Sequence, residues 1–226
     1  MEPAEPEPLG HPGAPHPSAE LLGVMLTAAG ADVVVEHGVV SGEVRGLEIA
    51  RVAVDDEGAA RIEVGVGRHD REAFAMVHGD VPAAEALADV IGTVRRHRHP
   101  DAPHHPLNRL AGERWLRATV VADPALVGAA RLEPADPASP RTNVKDPVPA
   151  PAVGVDAEGR PVVAVCSVGV DLDLVPSAVD ARAMHAPGAR LLLVVPERDD
   201  HPMTRALAAA LRDPAEVVPI AGDWRR

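Results

Sequence analysis

Through the first half of the chain apolar positions alternate with polar ones in short runs broken by glycine, and twice the spacing turns helical. AELLGVMLTAAG follows Ser18 and ends at Gly30, so Ser18 is expected to cap a helix that Gly30 stops. DVVVEH reads as a short strand, and SGEVRGLEIARVAVD and ARIEVGVG, separated by Asp56-Glu57-Gly58, read as a β-hairpin. A polar loop leads to AAEALADVIGTVRRHR, where Leu87, Val90, Ile91 and Val94 share one helical face and Arg95, Arg96 and Arg98 close the last turn. The pattern predicts an α-β-β-β-α unit over residues 18–98.

HPDAPHHP interrupts this pattern, and 99–111 reads as a Pro/His-rich linker. Beyond it the periodicity predicts a helix over 112–122, a strand near 126–133, strands over 150–155 and 161–168, and a helix over 177–185. A strand over 190–195, a helix over 202–212 and a strand over 216–220 complete the series. VVAVCSV and RLLLVV are continuously apolar, as central strands covered on both faces are. The fold class is α/β, with the second unit, 112–226, a sheet flanked by helices.

The segments 52–70 and 153–171 align without gaps at seven identical positions of 19, clustered on V-x-V-D-x-E-G. A shared hairpin turn or a duplication would produce this.

Composition narrows the picture. The 46% of apolar residues are nearly all Ala, Val and Leu, with one Phe, two Trp and no Tyr, so the core is aliphatic and stacking platforms for bases are scarce. Arginine outnumbers lysine 21 to 1, a skew typical of a GC-rich bacterial genome. The net charge of −12 disfavours general affinity for nucleic acid or anionic membranes. Residues 1–17, with six prolines, are expected to be a disordered tail. No signal peptide or run of 18 apolar residues is seen, and with a single cysteine, Cys166, in an apolar strand, a cytoplasmic location is expected.

A resemblance emerges from the second half. ERWLRATVVADP, a strand ending in Asp156, the turn AEGR, the strand PVVAVCS, a helix, and ARLLLVVPERDDHPMTRALAAALRDPAEVVPI together resemble the PD-(D/E)xK, or restriction-endonuclease-like, nuclease superfamily. The similarity is nearest to the C-terminal nuclease domain of mismatch-type endonucleases and covers about residues 112–220. It implies a metal-binding Asp on the first hairpin strand and Glu-x-Lys on the second. Those positions fall near Pro151 and on Val165 and Ser167, so the resemblance implies the fold with the catalytic residues lost. The chain's only lysine, Lys145, lies in the preceding loop.

Other candidate chemistry is sparse. Asp171 and Asp173, with Asp180 on the following helix, could bind Mg²⁺ or Mn²⁺ at a strand end, although Ser177 with Asp180 also fits a variant capping box. Glu48, read on one face with Val44, Gly46, Ala50, Val52 and Val54, interrupts an apolar surface and must be paired, as with Arg68 or Arg71, or have a raised pKa. His97, His99, His104 and His105 could supply imidazoles to Zn²⁺ but sit in a proline-rich linker without a supporting shell. Arg95, Arg96, Arg98, Arg114 and Arg117 form the one credible phosphate-facing patch. Cys166 reads as an inert core residue.

These observations favour a non-catalytic binding or assembly scaffold on a degenerate nuclease fold, with no cofactor and with a protein partner or self-association ahead of nucleic acid and no membrane. The alternatives are a metal-dependent hydrolase or nuclease with a relocated carboxylate site using Mg²⁺ or Mn²⁺, and a non-cleaving nucleic-acid-binding accessory protein.

Overall fold

The structure is a computed structural model that describes residues 13–78, 81–99, 102–103, 105–141, 143, 146–222 and 224. The expected tail falls largely on residues 1–12, outside the described residues, as do His104 and Lys145.

The chain is α/β, and its described residues form two sheets. Helix α1 (Pro17–Ala28) leads to an antiparallel sheet in sequence order: β1 (Asp32–Glu36), β2 (Val39–Val44), β3 (Leu47–Val54) and β4 (Ala60–Val64). Helices α2 (Gly67–His78) and α3 (Ala83–His97) follow. Helix α4 (Gly112–Ala122) opens the second half, which continues through β5 (Arg131–Pro134), β6 (Ala150–Val155), β7 (Pro161–Cys166), α5 (Leu174–His185), β8 (Arg190–Pro196), α6 (Pro202–Ala209) and β9 (Glu216–Ile220). Strands β5 to β7 form an antiparallel meander, and β7, β8 and β9 run parallel. Among the described residues no helix is long and apolar enough to cross a membrane.

The first unit therefore has one strand and one helix more than the pattern predicted. SGEVRGLEIARVAVD is two strands, because Arg45 (φ 49°) and Gly46 (φ 74°) both take left-handed backbone and close a two-residue hairpin. His37 and Gly38, at φ 48° and 77°, do the same between β1 and β2. Two consecutive positive φ angles are the mark of a type I′ turn, whose twist matches that of the flanking strands. The polar stretch after β4 is helix α2, with the Asp70 carboxylate accepting from the Val66 amide at 2.7 Å.

The second half follows the pattern more closely, with differences at its ends. The stretch 126–133 divides into a 3₁₀ turn, Pro124–Val127, and the short strand β5. Helix α5 begins at Leu174, and the amide of Ser177 donates to the Asp173 carbonyl inside its first turn, so Ser177 and Asp180 form no capping box. Helix α6 stops at Ala209.

Among the described residues three helical segments start on a His-Pro pair. The Nδ1 atoms of His16, His105 and His201 accept from the amides of Ser18, Leu107 and Met203 at 3.4, 3.3 and 3.2 Å. Proline loses no bond at such a start, and the imidazole meets one of the free amides. The cap of α1 is thus His16, and the Ser18 hydroxyl donates instead to the Gly58 carbonyl in the β3–β4 turn.

The two aligned V-x-V-D-x-E-G segments fold into one turn used twice. The amides of Asp55 and Asp156 each donate to the carbonyl four positions on, their carbonyls accept from the glycine amide three positions on, and each carboxylate accepts from the amides two and four positions on. Gly58 (φ 83°) and Gly159 (φ 77°) occupy the same left-handed place. This shared turn accounts for the aligned D-x-E-G residues.

Among the described residues three apolar clusters form the core. One face of the first sheet packs on α1 and α3 through Leu26, Val40, Leu47, Ile49, Leu87 and Ile91. The second sheet is covered on both faces: Val162, Ala164 and Cys166 lie under α4, and Val163 and Val165 under α5. Strand β7 is the central strand its continuous apolar run predicts, with Val165 only 1% exposed.

Candidate functional site

The remaining face of the first sheet is acidic and buried. Cross-strand pairing places Glu36, Ser41, Glu43, Glu48 and Arg51 on it. The Arg45-Gly46 turn sets Glu43 opposite Glu48, and the register then jumps so that Ile49 is an extra residue and Arg51 joins Glu48 on the same side. Glu48 therefore does not share a face with Val44, Ala50 and Val52, as an uninterrupted strand would require; those three belong to the opposite, apolar face.

Helix α4 reaches this acidic face with two arginines. Its residues Gly112 to Arg117 are all buried, because Trp115 and Leu116 pack on the second sheet while Arg114 and Arg117 reach the first. Arg117 bonds Glu36 at 2.7 Å and approaches Glu43 at 3.4 Å. Arg114 bonds Glu36, lies 2.9 Å from Glu43 and stands 3.8 Å from Glu48. Glu48 is also held by both edge nitrogens of Arg51 at 3.1 Å and by Arg71 at 2.7 Å. The expected pairing of Glu48 with Arg71 is what the structure shows, whereas Arg68 bonds Glu72. Burial alone would raise the pKa of Glu36, but Arg117 and Arg114 outweigh it and hold the carboxyl at about 2.

Arg98 is buried for a different reason. With 0% exposure it donates to the carbonyls of Arg45, Leu107, Leu110 and Ala111 at 2.8–2.9 Å, and its guanidinium lies 4.6 Å above the Trp115 ring. Desolvation is the largest influence on it and lowers its pKa. These bonds pin the described part of the expected linker, where Ala102, Asn108 and Ala111 are buried. The phosphate-facing patch is therefore not a surface: Arg98, Arg114 and Arg117 are consumed inside, and only Arg95, which bonds the Gly30 carbonyl, and Arg96 face solvent.

The other candidates do not converge. The Asp171 carboxylate accepts from the Asp173 amide at 2.9 Å in a local turn, and Asp173 and Asp180 are exposed. His97 and His105 stack at 3.9 Å, and burial followed by the neighbouring His105 lowers the His97 pKa. Among the described residues no three His, Cys, Asp or Glu side chains gather in a way that could hold a metal ion. Cys166 is fully buried, and desolvation pushes its thiol up to about 12.

A cleft of about 270 Å³ opens between the acidic face and the loop before β6. It is lined by Glu36 and Glu48 and by Arg51, Arg68, Arg71, Arg114 and Arg141, with Ser41 and Asn143 at its sides. Sequence reasoning found Glu48 but missed the cleft, because Arg141 lies in a proline-rich loop with no local pattern. The chain matches no protein-family model, no curated protein and no solved structure.

Proposed function

We propose that this chain is a non-catalytic binding or assembly protein whose second half descends from a restriction-endonuclease-like nuclease. The observation that carries this reading is the pairing of Pro151 with Val165 at the positions where the superfamily holds its carboxylates. Both are buried, and so is Ser167 at the lysine position. The space beside them is a cavity of about 20 Å³ among Pro137, Val148, Pro149, Pro151, Val165 and Ala181. Among the described residues no carboxylate lines it, so these residues do not fit a divalent cation, whose ligands are oxygens. The antiparallel meander followed by a helix and a parallel strand supports the nuclease-like ancestry.

The relocated-carboxylate alternative gains no support, since Glu48 is engaged by three arginines while Asp171 and Asp173 belong to an exposed turn. The internal use of Arg98, Arg114 and Arg117 disfavours the nucleic-acid-binding alternative. Leu21, Val24 and Met25, exposed together on α1, favour contact with a protein surface. The test is incubation of the purified chain with Mg²⁺ or Mn²⁺ and single-stranded, double-stranded or mismatched DNA. All substrates are expected to remain intact; metal-dependent cleavage lost on Asp171→Ala would overturn the reading.

A further inference from the structure

We propose that the arginine-lined cleft over the acidic face of the first sheet binds an oxyanion, a phosphate or carboxylate group on a compact molecule, with Arg141 as its principal ligand. Among the described residues Glu36, Glu43 and Glu48, with Glu63 at 4.0 Å from Arg71, meet the guanidinium groups of Arg51, Arg71, Arg114 and Arg117. Arg141 adds a fifth and makes no ion pair among the described residues. Its Nη2 donates to the Val148 carbonyl at 3.2 Å, while its Nε and Nη1 are buried with no hydrogen-bond partner among the described residues. The Nε of Arg114, in the same cleft, is also buried and unpartnered.

Buried donors without acceptors are costly, and an uncompensated buried charge more so. Burial weighs most heavily against the charge on Arg141, followed by repulsion from Arg114; Glu36 and Glu113 offset this only in part, Arg117 adds further repulsion, and the pKa is lowered to about 10. An oxyanion in the cleft would meet the free donors and give Arg141 the ion-pair partner it lacks among the described residues, which a water molecule cannot do. With about 270 Å³ available, the ligand is small. Arg71 and Arg114, at 9% and 4% exposure, line its walls, beyond the reach of a nucleic-acid duplex.

This site is separate from the meander end, so DNA cleavage by the chain would defeat the non-catalytic reading and leave the anion site standing. The experiment titrates inorganic phosphate and, in a second arm, succinate into the full chain in chloride buffer, following melting temperature and heat of binding. One of the two is expected to raise the melting temperature saturably, which assigns the source of the oxyanion. Arg141→Gln should weaken that response about tenfold or more, the scale of one lost charge-assisted bond, whereas Arg205→Gln, on α6 at a residue paired with Asp200, should not.

Stability provides the second readout. In chloride alone Arg141→Gln should be at least as stable as the wild type, with the order reversed at saturating anion. A response to neither anion, an unchanged response in Arg141→Gln, or a loss of stability in that variant without anion would each overturn the proposal.

Discussion

Glu36, the last residue of β1, accepts a 2.7 Å hydrogen bond from Arg117 of α4 across 81 positions of sequence, and the pair ties the first sheet to the helix that covers the second. It is more than a contact between halves. Both groups are buried, so each is tolerated only because the other is present, and stability becomes tied to the ionisation of Glu36.

Acid should therefore loosen the join between the sheets. The folded pKa of Glu36 is about 2 against an ordinary 4.5, so its contribution is fully present above about 4.5 and is lost as the pH falls toward 2. The gap corresponds to roughly 3 kcal/mol. Urea midpoints should fall across that window in the wild type and fall less steeply in Glu36→Gln, which starts lower at neutral pH because Arg114 and Arg117 lose a counter-charge. A wild-type midpoint that stays level down to the folded pKa would show that the network is open to water.

Gly46 is where the β2–β3 turn meets the backbone of α4. A Cβ there would sit 2.2 Å from the Arg114 carbonyl oxygen and 2.6 Å from the Trp115 nitrogen, neither of which can move without shifting the helix. Gly46→Ala should cost about 3 kcal/mol or more. Gly159→Ala is the control: its φ of 77° is just as left-handed, but a Cβ would meet nothing within 4 Å, so only the local strain of about 1–2 kcal/mol applies. Equal melting temperatures for the two variants would contradict the close packing of turn on helix.

Arg98 should not tolerate lysine. Its guanidinium spreads over four backbone carbonyls and stacks on Trp115, a geometry an ammonium group cannot reproduce. Arg98→Lys should cost about 2 kcal/mol or more through carbonyls left without donors, and Arg98→Ala more still. Chemical denaturation of both variants gives the comparison, and a lysine variant matching the wild type would mean that the carbonyls find water.

The second half was legible where one local cause decided the outcome. Strand β7 is an unbroken apolar run because both its faces are covered, and α4, β6 and β9 have the ends their periodicity predicted. The first sheet was harder to read. Arg45-Gly46 lacks the asparagine or aspartate that usually announces a type I′ turn, so two strands looked like one and Glu48 was assigned to the wrong face. The arginines failed for a long-range reason. Nothing near Arg114 or Arg117 in sequence says that they are buried, because their partners Glu36, Glu43 and Glu48 come together only through two tight turns. The signal was present in those three glutamates, but it can be used only once the strands are paired.

Val165 tests the sealed end of the meander. It lies between Pro151 and Leu193 in the sheet and packs beneath α5 against Leu174 and Ala178, so Val165→Ala should cost about 1–3 kcal/mol through lost burial and a small cavity. Installing the residues that the proposed nuclease ancestry would place there is the sharper experiment. Val165→Glu with Ser167→Lys would place a carboxylate in a cavity of about 20 Å³ facing Pro151, with no second carboxylate and no metal to share. The lysine would enter a site only 1% exposed, where the Ser167 amide already bonds the Val194 carbonyl at 3.0 Å. The double variant should therefore unfold at lower urea concentration than Val165→Ala and cleave no DNA. A double variant as stable as the wild type would mean that the strand end opens to solvent, against the sealed site on which the proposed reading rests.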